Sequence, residues 1–257
     1  MSRFVNLELG GQDEDFSPET RVVKGAAHYF ERASEAFANM DFEEALRAFS
    51  KVLEYDAGRA AAWTGQVRAL IELEELREAR KWADKALEKF PNEPELLAAK
   101  AVALGRSGEL ESAMAFSDAS VSEQGGTPYV WLARADVLLS CREERAEFCF
   151  EKAMVLAAGD WLIAWLAARI RYWHQQFMLA LQFAQRAVEW NPGHAPCWMT
   201  LAHCQQEIGL VGPARQSLAH VDQLRPRWEE TRRTRRAVDD TGFFRRVGGG
   251  IRSIFKK

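Results

Sequence analysis

The sequence predicts an all-α solenoid of about six helix–turn–helix units, and three observations predict it. Six alanines, Ala45, Ala79, Ala113, Ala146, Ala180 and Ala214, recur with four gaps of 34 residues and one of 33. Upstream of them a large residue recurs at Tyr29, Trp63, Leu97, Trp131, Trp165 and Trp198. Downstream, turns are expected at Ala57, Pro91, Gly125, Ala158, Pro192 and Pro226. A fixed period of this length marks stacked supersecondary units, each too small to bury its apolar face alone.

Taken in order, residues 1–24 are polar and acidic, with Phe4, Val5, Leu7 and Leu9 among their few apolar residues, and are expected to form a mobile extension. The array then occupies 25–228 as six helix pairs, at about 26–59, 60–93, 94–127, 128–160, 161–194 and 195–228. The alanines have a physical task there. Two helices of a pair approach closely only where the contact residues are small. Ala79 and Ala86 allow that contact, while Phe49 and Phe150 fill wider gaps. Asn39–Asp41 and Ser107–Gly108 are helix-breaking turns within pairs. One residue is missing near 141–145. Residues 229–240 are expected to add a basic capping helix with a polar outer face. Residues 241–257 are expected to form a flexible basic and apolar tail, jointed by three glycines at 248–250.

This pattern resembles the tetratricopeptide repeat family. The best single copy is residues 60–93, with the leading aromatic Trp63, the paired alanines Ala79 and Ala86, and the closing Pro91. The resemblance covers about 26–228. Residues 94–127 depart from it locally, with Ser117, Ser120 and Gly125 where larger residues or proline are usual. The resemblance implies a right-handed superhelix whose first helices line a concave groove for a peptide or helix of a partner. It implies a non-catalytic interaction scaffold or adaptor.

Composition agrees with a folded chain of this kind. Apolar residues make up 47% and charged residues 28%, and no run of 18 apolar residues occurs. Residues 1–16 show neither the apolar run nor the cleavage site of a signal peptide, so a reducing, cytoplasmic setting is expected. The four cysteines, Cys141, Cys149, Cys197 and Cys204, show no disulfide-framework spacing. His194, Cys197, His203 and Cys204 lie close in sequence, but Cys197 and Cys204 share the helix face that carries Leu201 into the core, so no metal is expected.

Catalytic signatures are missing: no phosphate-cradling loop, no nucleophile elbow, no paired zinc histidines. No enzyme activity and no cofactor are expected. What remains is binding. Helix geometry assigns Trp63, Val67 and Leu70 to the core of the second unit and leaves Ala61, Thr64, Gly65, Arg68 and Glu72 for the groove. The equivalent positions supply Tyr129, Leu132 and Asp136 from 128–141, Trp165, Arg169, Tyr172 and Trp173 from 161–174, and His203 from 195–208. Aromatics beside an arginine have the composition of a binding hot spot. The alternative is that Trp165 and Trp173 pack between repeats. Relatives that clamp the carboxylate of cytosolic chaperones use lysines, asparagines and an arginine. The matching positions here are Phe30, Ser34, Gly65, Glu95 and Ala99, so that ligand is not expected. An apolar or amphipathic partner segment is expected instead.

Charge is asymmetric. Residues 229–257 carry a net charge of +5 and residues 1–228 a net charge of −8. In the tail, Phe243, Phe244, Ile251, Ile254 and Phe255 alternate with Arg245, Arg246 and Arg252. These residues suit attachment to an anionic membrane surface, docking into a groove, or simple solubilisation. The membrane-peripheral assembly factor is the alternative reading of the whole chain. RRTRR at 232–236 could contact phosphates, but the array is acidic, so a nucleic-acid partner is not expected.

Overall fold

A computed structural model describes residues 18–123 and 126–240. Every element among them is a helix. In chain order these are α1 (Pro18–Ala38), α2 (Phe42–Tyr55), α3 (Ala60–Glu72), α4 (Leu76–Lys89), α5 (Pro94–Arg106), α6 (Leu110–Ser122), α7 (Pro128–Ser140) and α8 (Ala146–Ala157). There follow α9 (Trp161–Trp173), α10 (Phe177–Trp190), α11 (Ala195–Glu207), α12 (Val211–Leu224) and α13 over 229–240. The fold is an all-α helical repeat solenoid. Helix α1 begins at Pro18, seven residues before the expected start of the array, and Pro18 at its first position is compatible with a helix start because the missing N–H would be unsatisfied there. Residues 1–17 and the tail 241–257 lie outside the described residues.

The same turn joins the two helices of every pair. One residue takes a left-handed conformation: Met40, Glu74, Gly108, Arg142, Gln175 and Gly209, with φ between 58° and 87°. The next residue's N–H reaches back five residues, as from Glu75 to the Leu70 carbonyl at 3.0 Å and from Glu109 to the Leu104 carbonyl at 3.0 Å. The left-handed residue's own N–H reaches back three, as from Glu74 to Ile71. This is the Schellman cap, which satisfies the last carbonyls of the first helix and reverses the chain.

The turn locates the missing residue. Glu143 still donates to the Leu138 carbonyl at 2.8 Å, in step with Glu109 and Leu104 one repeat earlier. The next contact has slipped. Ala113 N–H donates to Glu109, four residues back, whereas Ala146 N–H donates to Glu143, three back, at 3.4 Å. The deletion is therefore absorbed in a tightened first turn ahead of α8, and α9 resumes the period.

The landmark alanines are buried, Ala45, Ala79, Ala113, Ala180 and Ala214 completely so. The indole N–H of Trp63 donates to the Ala57 carbonyl at 3.0 Å, and that of Trp198 to the Pro192 carbonyl at 2.8 Å. These two tryptophans each tie down the turn that precedes their own helix.

By packing, the chain divides into two compact units, Met1–Leu156 and Ala157–Lys257. In the first, α3 packs on both α2 and α4, and the first helices α3, α5 and α7 contact one another in series. Trp63, Ala86 and Leu96 form one apolar cluster, and Ala101, Leu104, Ala113 and Val137 another. In the second, Met199, Ala202, Ala214, Leu218 and Val221 form a cluster closed by Val238 of α13.

Candidate partner-binding faces

The first helices α3, α5, α7, α9 and α11 are buried over most of their length. In α3 the run Ala62–Val67 is entirely buried. This narrows the surface available for a partner and corrects several expected groove positions. Leu132 and Trp165 are fully buried, as is Met199 at the equivalent place in α11. All three lie four residues after their helix start, one beyond the leading-aromatic position. Trp165 occupies this inner position because Ala164 stands at the leading one. Its indole N–H donates to Thr200 Oγ1 at 2.9 Å inside the second unit. Of the two readings of Trp165, packing between repeats is the one that fits. Thr64 and Gly65 are buried as well, with Gly65 facing the Phe49 ring.

Asp136 is a second correction. It is 1% exposed at its side chain and accepts a two-pronged hydrogen bond from Arg106, with Nη2 2.7 Å and Nε 3.1 Å from Oδ2. Burial works against the Arg106 charge, but the Asp136 carboxylate, helped by Glu72, holds its pKa above the ordinary value. Arg106 was not singled out in the sequence. Its spacing of exactly one helix length from Pro94 carries no sign that it meets an aspartate thirty residues on.

The first unit nevertheless presents a side-chain face on its first helices. Tyr129 is half-buried there and lies beneath the Arg68 guanidinium, 4.0 Å from ring centroid to carbon. The same guanidinium lies 5.0 Å from the Phe37 ring on α1. Residues of α1, α3 and α7 thus meet around one guanidinium. Burial pushes the Tyr129 phenol well above the usual tyrosine range, against the pull of Arg68.

In the second unit, Arg169, Tyr172, Trp173 and His203 are half-buried on α9 and α11. Arg169 lies 5.2 Å over the Trp165 ring. The Tyr172 hydroxyl donates to Glu207 Oε1 at 3.2 Å, and its ring is 6.1 Å from that of His203. His203 joins this face to α13: its Nε2 is 2.9 Å from Thr234 Oγ1 and 3.7 Å from Glu230 Oε1. Burial, with Arg169 adding to it, lowers the imidazole pKa to about 4.

The cysteine and histidine cluster is dispersed. Cys197 and Cys204 are fully buried, and burial pushes each thiol up to about 12. His194 stacks on Trp161, with ring centroids 4.3 Å apart. Among the described residues no group of three or more His, Cys, Asp or Glu side chains is placed to hold a metal ion, and no helix is long and apolar enough to cross a membrane. The tail positions Phe243, Phe244, Arg245, Arg246, Ile251, Arg252, Ile254 and Phe255 lie outside the described residues.

Residues 36–103 match the family model of the tetratricopeptide repeat. No curated protein matches the chain. Among solved structures, the chain is similar to a thermophilic tetratricopeptide repeat protein of Thermus thermophilus, at 18% identity and a TM-score of 0.53, over 70% of this chain and 98% of that one. It is also similar to a tetratricopeptide repeat protein of Parabacteroides merdae, at 13% identity and a TM-score of 0.50, over 86% of this chain and 88% of that one. At these identities the likeness is one of fold. The match to the tetratricopeptide repeat model thus covers 36–103, and the same turn geometry recurs six times through the helical repeat solenoid.

Proposed function

We propose that the protein is a non-catalytic interaction scaffold that holds an apolar or amphipathic segment of a partner protein on its first-helix face. The observation that carries this reading is the group Arg169, Tyr172, Trp173 and His203 in the second unit. Aromatic and arginine side chains lie there side by side, half-buried, on a packed helical base. Such anchors lose little conformational entropy on binding and account for most of the energy at protein interfaces. Glu207 and Glu230 at the margin suit a polar rim. The test is quantitative capture of host proteins by the wild-type chain and by Arg169→Glu/Trp173→Ala. Loss of a reproducible partner from the double variant supports the reading, and an unchanged set of partners overturns it.

A second reading, attachment to an anionic membrane surface through the tail, is favoured by one observation. Arg232 and Arg236 stand one turn apart and exposed on α13, just ahead of the tail, and no carboxylate pairs with either among the described residues. Basic residues at such a surface contribute about 1 kcal/mol each. Co-sedimentation with anionic vesicles, comparing the full chain with one ending at Asp240, tests it. Equal binding by the two would count against the tail.

A further inference from the structure

The first helices share one register, and it shows what the first and last of them leave uncovered. Counted from the start of the helix, the third, sixth and tenth residues face the preceding pair. In α3 these are Ala62, Gly65 and Ala69, and in α11 Cys197, Thr200 and Cys204, all of them buried. Gly65 lies against the Phe49 ring of α2, and Thr200 Oγ1 accepts from the Trp165 indole of α9. The fourth and eighth residues face the helix's own partner. Trp63 meets Trp82 of α4 with ring centroids 5.9 Å apart, Trp198 stacks on His220 of α12 at 4.2 Å, and Ala202 clusters with Ala214.

Helices α1 and α13 keep this register with one side open. One period before Ala60 is Ala26, so His28, Glu31 and Glu35 stand where later first helices bury their residues against a preceding pair. Among the described residues no pair precedes α1, and all three side chains are exposed. One period after Ala195 is Glu229, at the start of α13. Thr231, Thr234 and Val238 are buried there at the third, sixth and tenth positions. The fourth and eighth positions hold Arg232 and Arg236, where α11 has Trp198 and Ala202. No second helix follows α13 among the described residues, and both arginines are exposed. Neighbouring charges are satisfied: Arg32 pairs with Glu44 at 2.6 Å, Arg233 with Glu229 at 2.6 Å, and Arg235 with Asp222. Among the described residues no opposite charge pairs with Glu31, Glu35, Arg232 or Arg236.

We infer that the chain associates head to tail with a second copy of itself, the α13 face of one copy seating on the α1 face of the next, with Arg232 and Arg236 opposite Glu31 and Glu35. Each pair spans one helical turn, about 6 Å along its axis, so the two rows match in spacing as well as in charge. Within the array a second helix covers each of these faces, and in the junction each helix takes that place for the other. The two faces differ, so the contact is heterologous and can repeat from copy to copy. Contacts made through exposed ion pairs are weak and sensitive to salt. This goes beyond the scaffold reading and does not rest on it.

The test is sedimentation velocity of the full chain over a concentration series at low salt. Wild type is expected to show a mass that rises with protein concentration and falls back to the monomer as salt is added. Glu31→Arg/Glu35→Arg alone and Arg232→Glu/Arg236→Glu alone set like charges face to face, and each is expected to weaken self-association at least about tenfold. An equimolar mixture of these two variants restores it, because every junction between the two again joins opposite charges. One chain carrying all four substitutions also associates as wild type does. Restoration in the mixture separates a broken junction from a folding defect in either variant. A wild-type chain that stays monomeric throughout, a variant that associates as wild type does, or a mixture that stays monomeric would each overturn the inference. If wild type is monomeric and Arg232→Glu/Arg236→Glu loses only binding to anionic vesicles, the arginines serve a membrane surface and the inference fails.

Discussion

The ring of Phe49 fills the space that a side chain at Gly65 would need. A Cβ on Gly65 would lie 2.3 Å from Phe49 Cζ and 2.5 Å from Cε1. Phe49 is 4% exposed and meets Phe30 edge-on, so it has little room to give way. Glycine inside a helix ordinarily costs about 0.5–1 kcal/mol relative to alanine. Overpacking a rigid core costs about 1–3 kcal/mol. The second effect wins, so Gly65→Ala is expected to destabilise the protein by about 1–2 kcal/mol in urea unfolding. In a Phe49→Leu background the sign should reverse, with Gly65→Ala becoming neutral or stabilising.

The Arg106–Asp136 pair gives a different mutational pattern. Removing one partner of a buried ion pair leaves an uncompensated charge and costs about 3–5 kcal/mol. Asp136→Ala should lower stability by that order. Arg106→Met/Asp136→Leu should recover most of it, because the desolvation cost disappears with both charges. Thermal melts of wild type, Asp136→Ala and Arg106→Met/Asp136→Leu check this. A small effect of Asp136→Ala alone would mean that the pair is solvated.

How far the sequence reveals the structure depends on what produces each signal. The alanine period is legible because close helix crossing demands a small residue at one fixed place in every unit. The Schellman turns are only partly legible. Gly108 and Gly209 announce a left-handed residue, but Glu74, Arg142 and Gln175 adopt the same conformation with no local sign. The exposed part of the first helices is least legible. Helical periodicity separates one buried face from one exposed face, whereas a first helix here is covered on three sides. That is why Leu132, Asp136 and Trp165 fall inside while Tyr129, Arg169, Tyr172, Trp173 and His203 keep part of their surface. Arg106 and Asp136 meet across repeats, and no spacing rule within one helix exposes such a pair.

Those left-handed turns carry a measurable cost. A non-glycine residue there is strained by about 1–2 kcal/mol, offset in part by the greater backbone entropy glycine loses on folding. Glu74→Gly and Gln175→Gly should each raise stability by about 0.5–1 kcal/mol. Gly108→Ala should lower it, although nothing lies within 4 Å of the added Cβ, because its φ is 87°. Urea midpoints at constant slope check all three.

His203 makes stability depend on pH in one direction. Its pKa is about 4 in the folded protein against 6.5 ordinarily, so the folded state keeps the ring neutral where the unfolded chain protonates it. The contribution is fully present above pH 6.5 and is lost as pH falls from there towards 4. The full shift corresponds to roughly 3 kcal/mol. His203→Gln should flatten this part of the stability profile, and an unchanged profile would show that the imidazole is hydrated.

We propose that the half-buried stripe on α9 and α11 recognises a partner. The direct measurement is a titration of the minimal partner segment, once captured, against wild type and Arg169→Glu/Trp173→Ala, with melting curves of both proteins alongside. The double variant is expected to have a Kd weakened by about a hundredfold, as for the loss of two anchor residues, with a melting temperature within a few degrees of wild type. An unchanged Kd, or a collapse of the melting temperature that accounts for the lost binding, would contradict it.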